Sequence, residues 1–268
     1  MQPIKFTAAF SIALLLFGCS LPSSREPKPP APTAPPRLQA PPATEAPGLA
    51  PPPGGAAYRI DPTRSELRLL VFRAGPMARL GHDHVIVNRG LAGWVDPAGA
   101  SHAASFALVI PAADFLVDDA AARAAEGAEF AEPISDDARQ GTRRNMLGEA
   151  LLDAEHHAQI QVRSIRIEGA GAAFSAEVSI TVAGHESRQR LAFVLEPKAA
   201  QLTATADFRV RQSSLGLTPF SVLMGALAVQ DEVRVKLSLV AVPVSTGTRS
   251  GGVGQRRDDQ RGALGSQQ

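Results

Sequence analysis

The chain has 268 residues, is 44% hydrophobic and carries a formal net charge of +1. That charge balance excludes a nucleic-acid binder working through a basic surface, and the apolar content suffices for a packed core. Cys19 is the only cysteine, so no intramolecular disulfide can form.

Lys5 precedes an apolar run from Phe6 to Phe17, which ends in Gly18-Cys19-Ser20. The stretch Leu15-Leu16-Phe17-Gly18-Cys19 resembles a bacterial lipobox, with Phe17 an unusual occupant before the glycine. This predicts that residues 1–18 are a signal peptide removed on export and that Cys19 becomes the lipidated amino terminus, the site of palmitate attachment. The apolar run is short of the roughly 20 residues of a membrane-spanning helix. The acyl chains would instead anchor the protein, at about 0.8 kcal/mol per buried CH2. Ser20 carries no retention charge, which points to the periplasmic side of the outer membrane. Residues 19–56 contain Pro29-Pro30-Ala31-Pro32, Pro41-Pro42 and Pro51-Pro52-Pro53. Such a segment favours extended polyproline conformations and is expected to act as a tether.

A single domain is expected over residues 57–243, and a disordered tail over 244–268, where apolar periodicity ceases. Most of the domain reads as strand. Phe174 to Val182 and Val233 to Leu239 alternate apolar and polar residues with a period of two, so one face of each is apolar. Phe106 to Ile110, Ile160 to Ile167, Leu191 to Leu195 and Ala204 to Val210 are further strands, with turns at Gly169–Gly171 and Gly184-His185. Two helices are predicted. Asp136 to Leu147 has helical spacing, Ser135 as N-cap and acidic residues in its first turn. Thr218-Pro219 looks like an N-cap followed by proline, opening a short apolar helix from Phe220 to Leu227 that would cap one end of the fold. Many antiparallel strands with one apolar face close into a sandwich or a barrel.

The landmarks Tyr58-Arg-Ile-Asp61, Leu80-Gly81-His82-Asp83-His84, Gly90-Leu-Ala-Gly-Trp94 and Arg144-Asn-Met-Leu147 recur in a characteristic order. They are followed by His157-Ala-Gln-Ile-Gln-Val-Arg-Ser164, the segment Val178 to His185, the segment Phe208 to Leu217, and Val229-Gln-Asp231-Glu-Val233. Together they resemble the YceI-like family over residues 57–242. The resemblance implies an all-β fold, an antiparallel eight-stranded lipocalin-like barrel with one or two short helices. It also implies an apolar cavity of the polyisoprenoid-binding type. Three positions depart from the family pattern: Arg64-Ser65 in place of His-Ser, the His82-Asp83-His84 cluster in place of one histidine, and His156-His157-Ala158 in place of Tyr-Pro.

An isoprenoid chain or polyprenyl-quinone tail in such a barrel needs an apolar lining with a few polar groups at the mouth. The lining expected from the strand faces is Leu70, Phe72, Phe106, Leu108, Ile110, Ile160, Val162, Val178, Ile180, Phe193, Phe208, Val233 and Val235, with Phe220 from the capping helix. His82 and His84, two apart on an extended segment, share a side and form a candidate metal pair. A third ligand would have to come from His156, His157 or an acidic residue. No Gly-x-Ser-x-Gly elbow, dinucleotide loop, phosphate loop or Cys-x-x-Cys is present, and Glu155-His156 has no nucleophile beside it. Asp118-Asp119 reads as loop or helix-start charge. The leading reading is a membrane-tethered periplasmic binding protein for a long apolar molecule. The alternatives are a packed barrel acting through partners, and a metal-dependent enzyme or sensor built on His82 and His84.

Overall fold

The computed structural model describes residues 58–98 and 103–244. The predicted signal, Cys19, the proline-rich tether and all but the first residue of the predicted tail lie outside the described residues. Eight antiparallel strands follow one another around a closed barrel. β1 is Tyr58–Ile60 continued by Glu66–Val71, β2 is His84–Asn88 continued by Ala92–Asp96, and β3 is Ser105–Pro111 continued by Phe115–Val117. β4 to β8 are unbroken: Gln159–Ala170, Ala173–Val182, His185–Lys198, Gln201–Arg211 and Glu232–Pro243. Each strand pairs with its successor, and β8 closes on β1 through Tyr58↔Pro243 and Leu67↔Leu237. Closure pairs the first strand with the last and so removes the free edges an open sheet would expose.

All six strands predicted from periodicity form, and each runs longer than its apolar alternation. The connections from β4 through β7 are tight. Val182 pairs with His185 across the two-residue turn Ala183-Gly184, whose φ values of 46° and 77° are both positive. A two-residue hairpin needs that conformation to match strand twist, and Ala183 adopts it despite its Cβ.

Among the described residues two α-helices lie outside the barrel sheet. α1 (Ala120–Ala125) starts at Asp119, whose side chain accepts from the Ala122 N–H at 3.0 Å. α2 (Asp136–Leu147) forms where predicted, with the Ser135 hydroxyl accepting from the Ala138 N–H at 3.2 Å. The helix expected over Phe220 to Leu227 does not form. Short strands at Ser221–Val222 and Leu227–Val229 flank a tight turn, and the second pairs with Arg73–Ala74. The Val229 N–H donates to the Phe220 carbonyl at 2.9 Å, and the Met77 N–H to that of Ala226 at 2.8 Å. Pairing with a neighbouring chain segment outweighs the local capping signal at Thr218-Pro219.

The apolar residues fall into two layers. The barrel interior holds Leu67, Ile86, Leu108, Val162, Val178 and Val235 among others. Outside the wall, Leu70, Val85 and Val87 pack against Ala122 and Phe130, with Phe72 beside them. An ionic clasp binds this outer layer down. Glu126, at the end of α1, accepts from Arg68 of β1 at 2.7 Å and from Lys236 of β8 at 2.5 Å. Its carboxyl titrates below the ordinary value: burial pushes it up, but hydrogen bonds from Lys236 and Arg68 outweigh that.

Candidate functional site

Two adjoining chambers occupy the barrel. The first, of about 260 Å³, lies toward the β4–β5 turn. Phe106, Phe174 and Phe193 form one wall, with Phe174 stacked on Phe193 at 5.7 Å and Phe106 edge-on to Phe193 at 6.4 Å. Apart from Asp96, Ser105 and Thr205, its described lining is apolar. The second chamber, of about 510 Å³, lies under α2 and the 220–229 hairpin. Ile160 and Ile180 line both, so the two chambers adjoin. Ligand pockets commonly run from about 300 to 1,000 Å³.

The second chamber mixes apolar and polar groups. α2 turns Ala138, Gly141, Thr142, Asn145 and Met146 inward, the i, i+3, i+4 stripe of one helix face. The hairpin adds Phe220 and Leu227, and Arg73, His82, His84 and Gln212 supply polar groups. Leu80, 58% exposed, stands at the rim.

His84 is fixed from both sides. Its Nδ1 lies 2.7 Å from Asp118 Oδ2, and its Nε2 lies 3.3 Å from the Thr142 hydroxyl. The Asp118 side chain is wholly buried, at φ 56°. Its Oδ1 accepts from the Val85 N–H at 3.0 Å and from Arg123 at 2.6 Å. Arg123 also donates to the carbonyls of Asp83 (2.9 Å) and Glu132 (3.0 Å) and stands 5.7 Å above the Phe130 ring. Burial pushes the Asp118 carboxyl up, but the hydrogen bond and charge of His84, the Val85 N–H and Arg123 hold it below its ordinary 3.8. An ionised carboxylate only accepts, so Nδ1 carries a proton directed at Asp118, and Nε2 faces the Thr142 hydroxyl at the cavity wall.

His82 is partly exposed, its ring 6.3 Å from that of His84 and nearly perpendicular to it, with Nδ1 3.8 Å from Glu132 Oε1. The two histidines expected as third ligands are placed elsewhere. His156 bonds to Asp153 at 2.8 Å in an exposed turn, and His157 packs against Gly184. Among the described residues no group of three or more His, Cys, Asp and Glu side chains is arranged to hold a metal ion. Asp153 holds the exposed His156 imidazole above its ordinary value by hydrogen bond and charge. The Ser213 hydroxyl donates to Asp231 at 2.6 Å, a turn-fixing bond.

The predicted lining residues distribute as follows. Phe106, Leu108, Ile110, Val162, Phe193, Phe208 and Val235 line the first chamber, Val233 and Phe220 the second, and Ile160 and Ile180 both. Val178 is fully buried in the interior core without lining either chamber. Leu70 and Phe72 are corrections: both point outward, into the layer under α1 and Phe130. Leu69 and Val71, their neighbours in β1, face the cavity instead. Asp118, Arg123, Thr142, Asn145 and Gln212 were missed. For Asp118 and Arg123 the available signal was an aspartate pair opening an alanine-rich helix with one arginine inside it.

The model of the YceI-like domain matches residues 58–241. Among solved structures, Burkholderia cenocepacia BcnA superposes with a TM-score of 0.51 at 16% identity, covering 68% of this chain and 99% of that one, a likeness of fold. A polyisoprenoid binding domain from Saccharophagus degradans implicated in plant cell wall breakdown gives a TM-score of 0.47 at 11% identity, with 71% and 99% covered. The Campylobacter jejuni YCEI protein gives 0.39 at 11% identity, with 56% and 79% covered. No curated protein matches the chain. With the matched segment spanning the whole barrel from β1 to β8, the chain belongs to the YceI-like domain family.

Proposed function

We propose that this domain holds one long, slender apolar molecule, an isoprenoid chain or the tail of a polyprenyl-quinone-like amphiphile. The tail lies in the first chamber and the polar end sits among Arg73, His82, His84 and Gln212. The observation carrying this reading is the pair of adjoining chambers, one apolar and the other edged with polar groups. Each methylene moved from water into the first chamber would contribute about 0.8 kcal/mol before ordering costs. A polar head group at the second chamber would find the Arg73 guanidinium and the histidine rings as partners. We further propose that Cys19 carries the lipid anchor and that the barrel works on the periplasmic side of the outer membrane.

Native mass spectrometry of the full chain, purified gently from its host, tests the reading. An additional mass removed by organic extraction is expected, and Ala206→Trp, which fills the first chamber, should abolish it without unfolding the barrel. A protein that emerges empty in repeated preparations defeats the reading in favour of a packed barrel acting through partners. An additional mass removed by a chelator and lost in His82→Ala/His84→Ala would defeat it in favour of metal. Palmitate labelling that persists in Cys19→Ala would defeat the anchor assignment alone.

A further inference from the structure

We infer that the tip of the 221–229 hairpin, together with Leu80, is a membrane-docking face that seats the open end of the barrel on an anionic lipid surface. The apolar ligand would pass there between bilayer and cavity, a part of the inference that rests on the carrier reading above.

Val222, Leu223 and Met224 are consecutive, and they are 38%, 63% and 106% exposed. Other exposed large apolar residues, such as Leu116, Ile165 and Val194, are scattered one to a strand, which is ordinary for a protein surface. Three in a row at one tip is not.

The tip is built to project. Leu223 and Met224 both adopt left-handed φ, 52° and 54°, a conformation that side chains with a Cβ rarely take. The hairpin is braced from behind by residues 75–80. A Cβ at Gly75 (φ 89°) would sit 2.6 Å from the carbonyl oxygens of Gly225 and Ala226, so only glycine allows the two loops this close. That bracing loop carries Leu80.

The charge pattern suits a lipid surface. From residue 212 to residue 230 the sequence contains no Asp, Glu, Lys or Arg. From 74 to 80 the one charge is Arg79, exposed and without an ion pair among the described residues. Apolar side chains with a flanking cation bind the boundary between headgroups and acyl chains. The face is also continuous with the cavity, because Leu80, Phe220 and Leu227 line the second chamber.

The test uses the full chain with Cys19→Ser, which removes the anchor and the only native thiol. An environment-sensitive fluorophore is placed at Met224→Cys, or for comparison at Ala172→Cys in the turn at the opposite end of the barrel. Phosphatidylglycerol/phosphatidylcholine vesicles should shift the Met224→Cys emission to the blue, and brominated lipids should quench it. Neither should happen at Ala172→Cys, and Arg79→Glu should weaken both effects. A label at position 224 that stays in water on vesicles overturns the proposal and leaves the face to a protein partner. Equal quenching at both positions also overturns it, since attachment would then be unoriented. Leu223→Ser/Met224→Ser should leave melting temperature and retained ligand mass unchanged while slowing ligand transfer to vesicles; unchanged transfer would overturn the transfer role. Insertion at position 224 with an empty cavity would uphold docking and defeat the carrier reading. A filled cavity without insertion would do the reverse.

Discussion

Toward the β4–β5 turn the cavity wall is Phe106, Phe174 and Phe193, ring against ring. Under α2 it is Arg73, His82, His84 and Gln212, interleaved with Leu69, Val71 and Met146. The apolar end needs only the alternation of the strands, and each side chain contributes roughly in proportion to the area it covers. The polar end needs His84 in one orientation. That takes a buried carboxylate on one ring nitrogen, a buried guanidinium on the carboxylate and a helix hydroxyl on the other nitrogen. The first kind of construction degrades gradually under mutation; the second fails when one partner is removed.

The largest effect should come from that second construction. Arg123→Met strands Asp118, whose side chain is wholly buried, without its guanidinium partner. Removing one member of a buried pair typically costs about 3–5 kcal/mol. Urea unfolding of the full chain should show a loss of that size; a loss near that of a surface arginine would mean water reaches Asp118 and the polar end is not preorganised.

Next comes a paired comparison of leucines. Leu70 is buried between the barrel wall and α1, whereas Leu191 lines the first chamber. Leu70→Ala should cost about 2–5 kcal/mol, because it opens a void in a packed layer. Leu191→Ala should cost less, because its methyls already border open space. Equal losses in denaturant would show that the first chamber is filled by side chains, against the carrier reading.

Leu70 also shows where sequence reasoning stops. From the end of β1 into the next residue the run Leu69-Leu70-Val71-Phe72 is apolar at every position, since one face meets the cavity and the other meets Ala122 and Phe130. A strand buried on both sides loses its period of two, and a shift of one residue exchanges lining for packing. Where only one face is buried, as in β5 and β8, alternation gave both strand and inward face correctly. α2 was legible because its cap and its stripe are local. The relay of His84, Asp118 and Arg123 was not, because it joins β2 to the approach and interior of α1 through tertiary contacts, and Asp118 beside the true N-cap Asp119 reads as one more helix-start charge. The 220–227 segment failed for a related reason: its apolar residues serve a hairpin tip and a chamber wall, and no helical face.

Acid should act on the polar end through Asp118 and on the outer clasp through Glu126. Both carboxyls titrate below their ordinary values, 3.8 and 4.5, in the folded protein. A depressed folded-state pKa means that the stabilisation is fully present above the ordinary value and is lost as pH falls through the folded one. Stability should therefore hold from neutral pH down to the ordinary carboxylate range and fall below it. Asp118→Asn should lower stability at neutral pH and flatten the acid limb, as read from melting temperature against pH. An acid limb of unchanged slope would mean that Asp118 titrates alike in the folded and unfolded chains.

The smallest effect tests whether the two ends can be loosened separately. Ser135 caps α2 by accepting from Ala138, and its carbonyl accepts from the Arg139 N–H at 3.0 Å. Ser135→Ala should cost about 1 kcal/mol, the usual worth of such a cap. The lost bond belongs to the first turn of α2, so the expected consequence is fraying there. Amide exchange should quicken over residues 138–142, which include the Thr142 that faces His84, while the amides of β5 and β6 beside the first chamber keep their protection. Equal acceleration in both places would mean that the capped helix and the aromatic end open as one unit, and that the polar end has no mobility of its own.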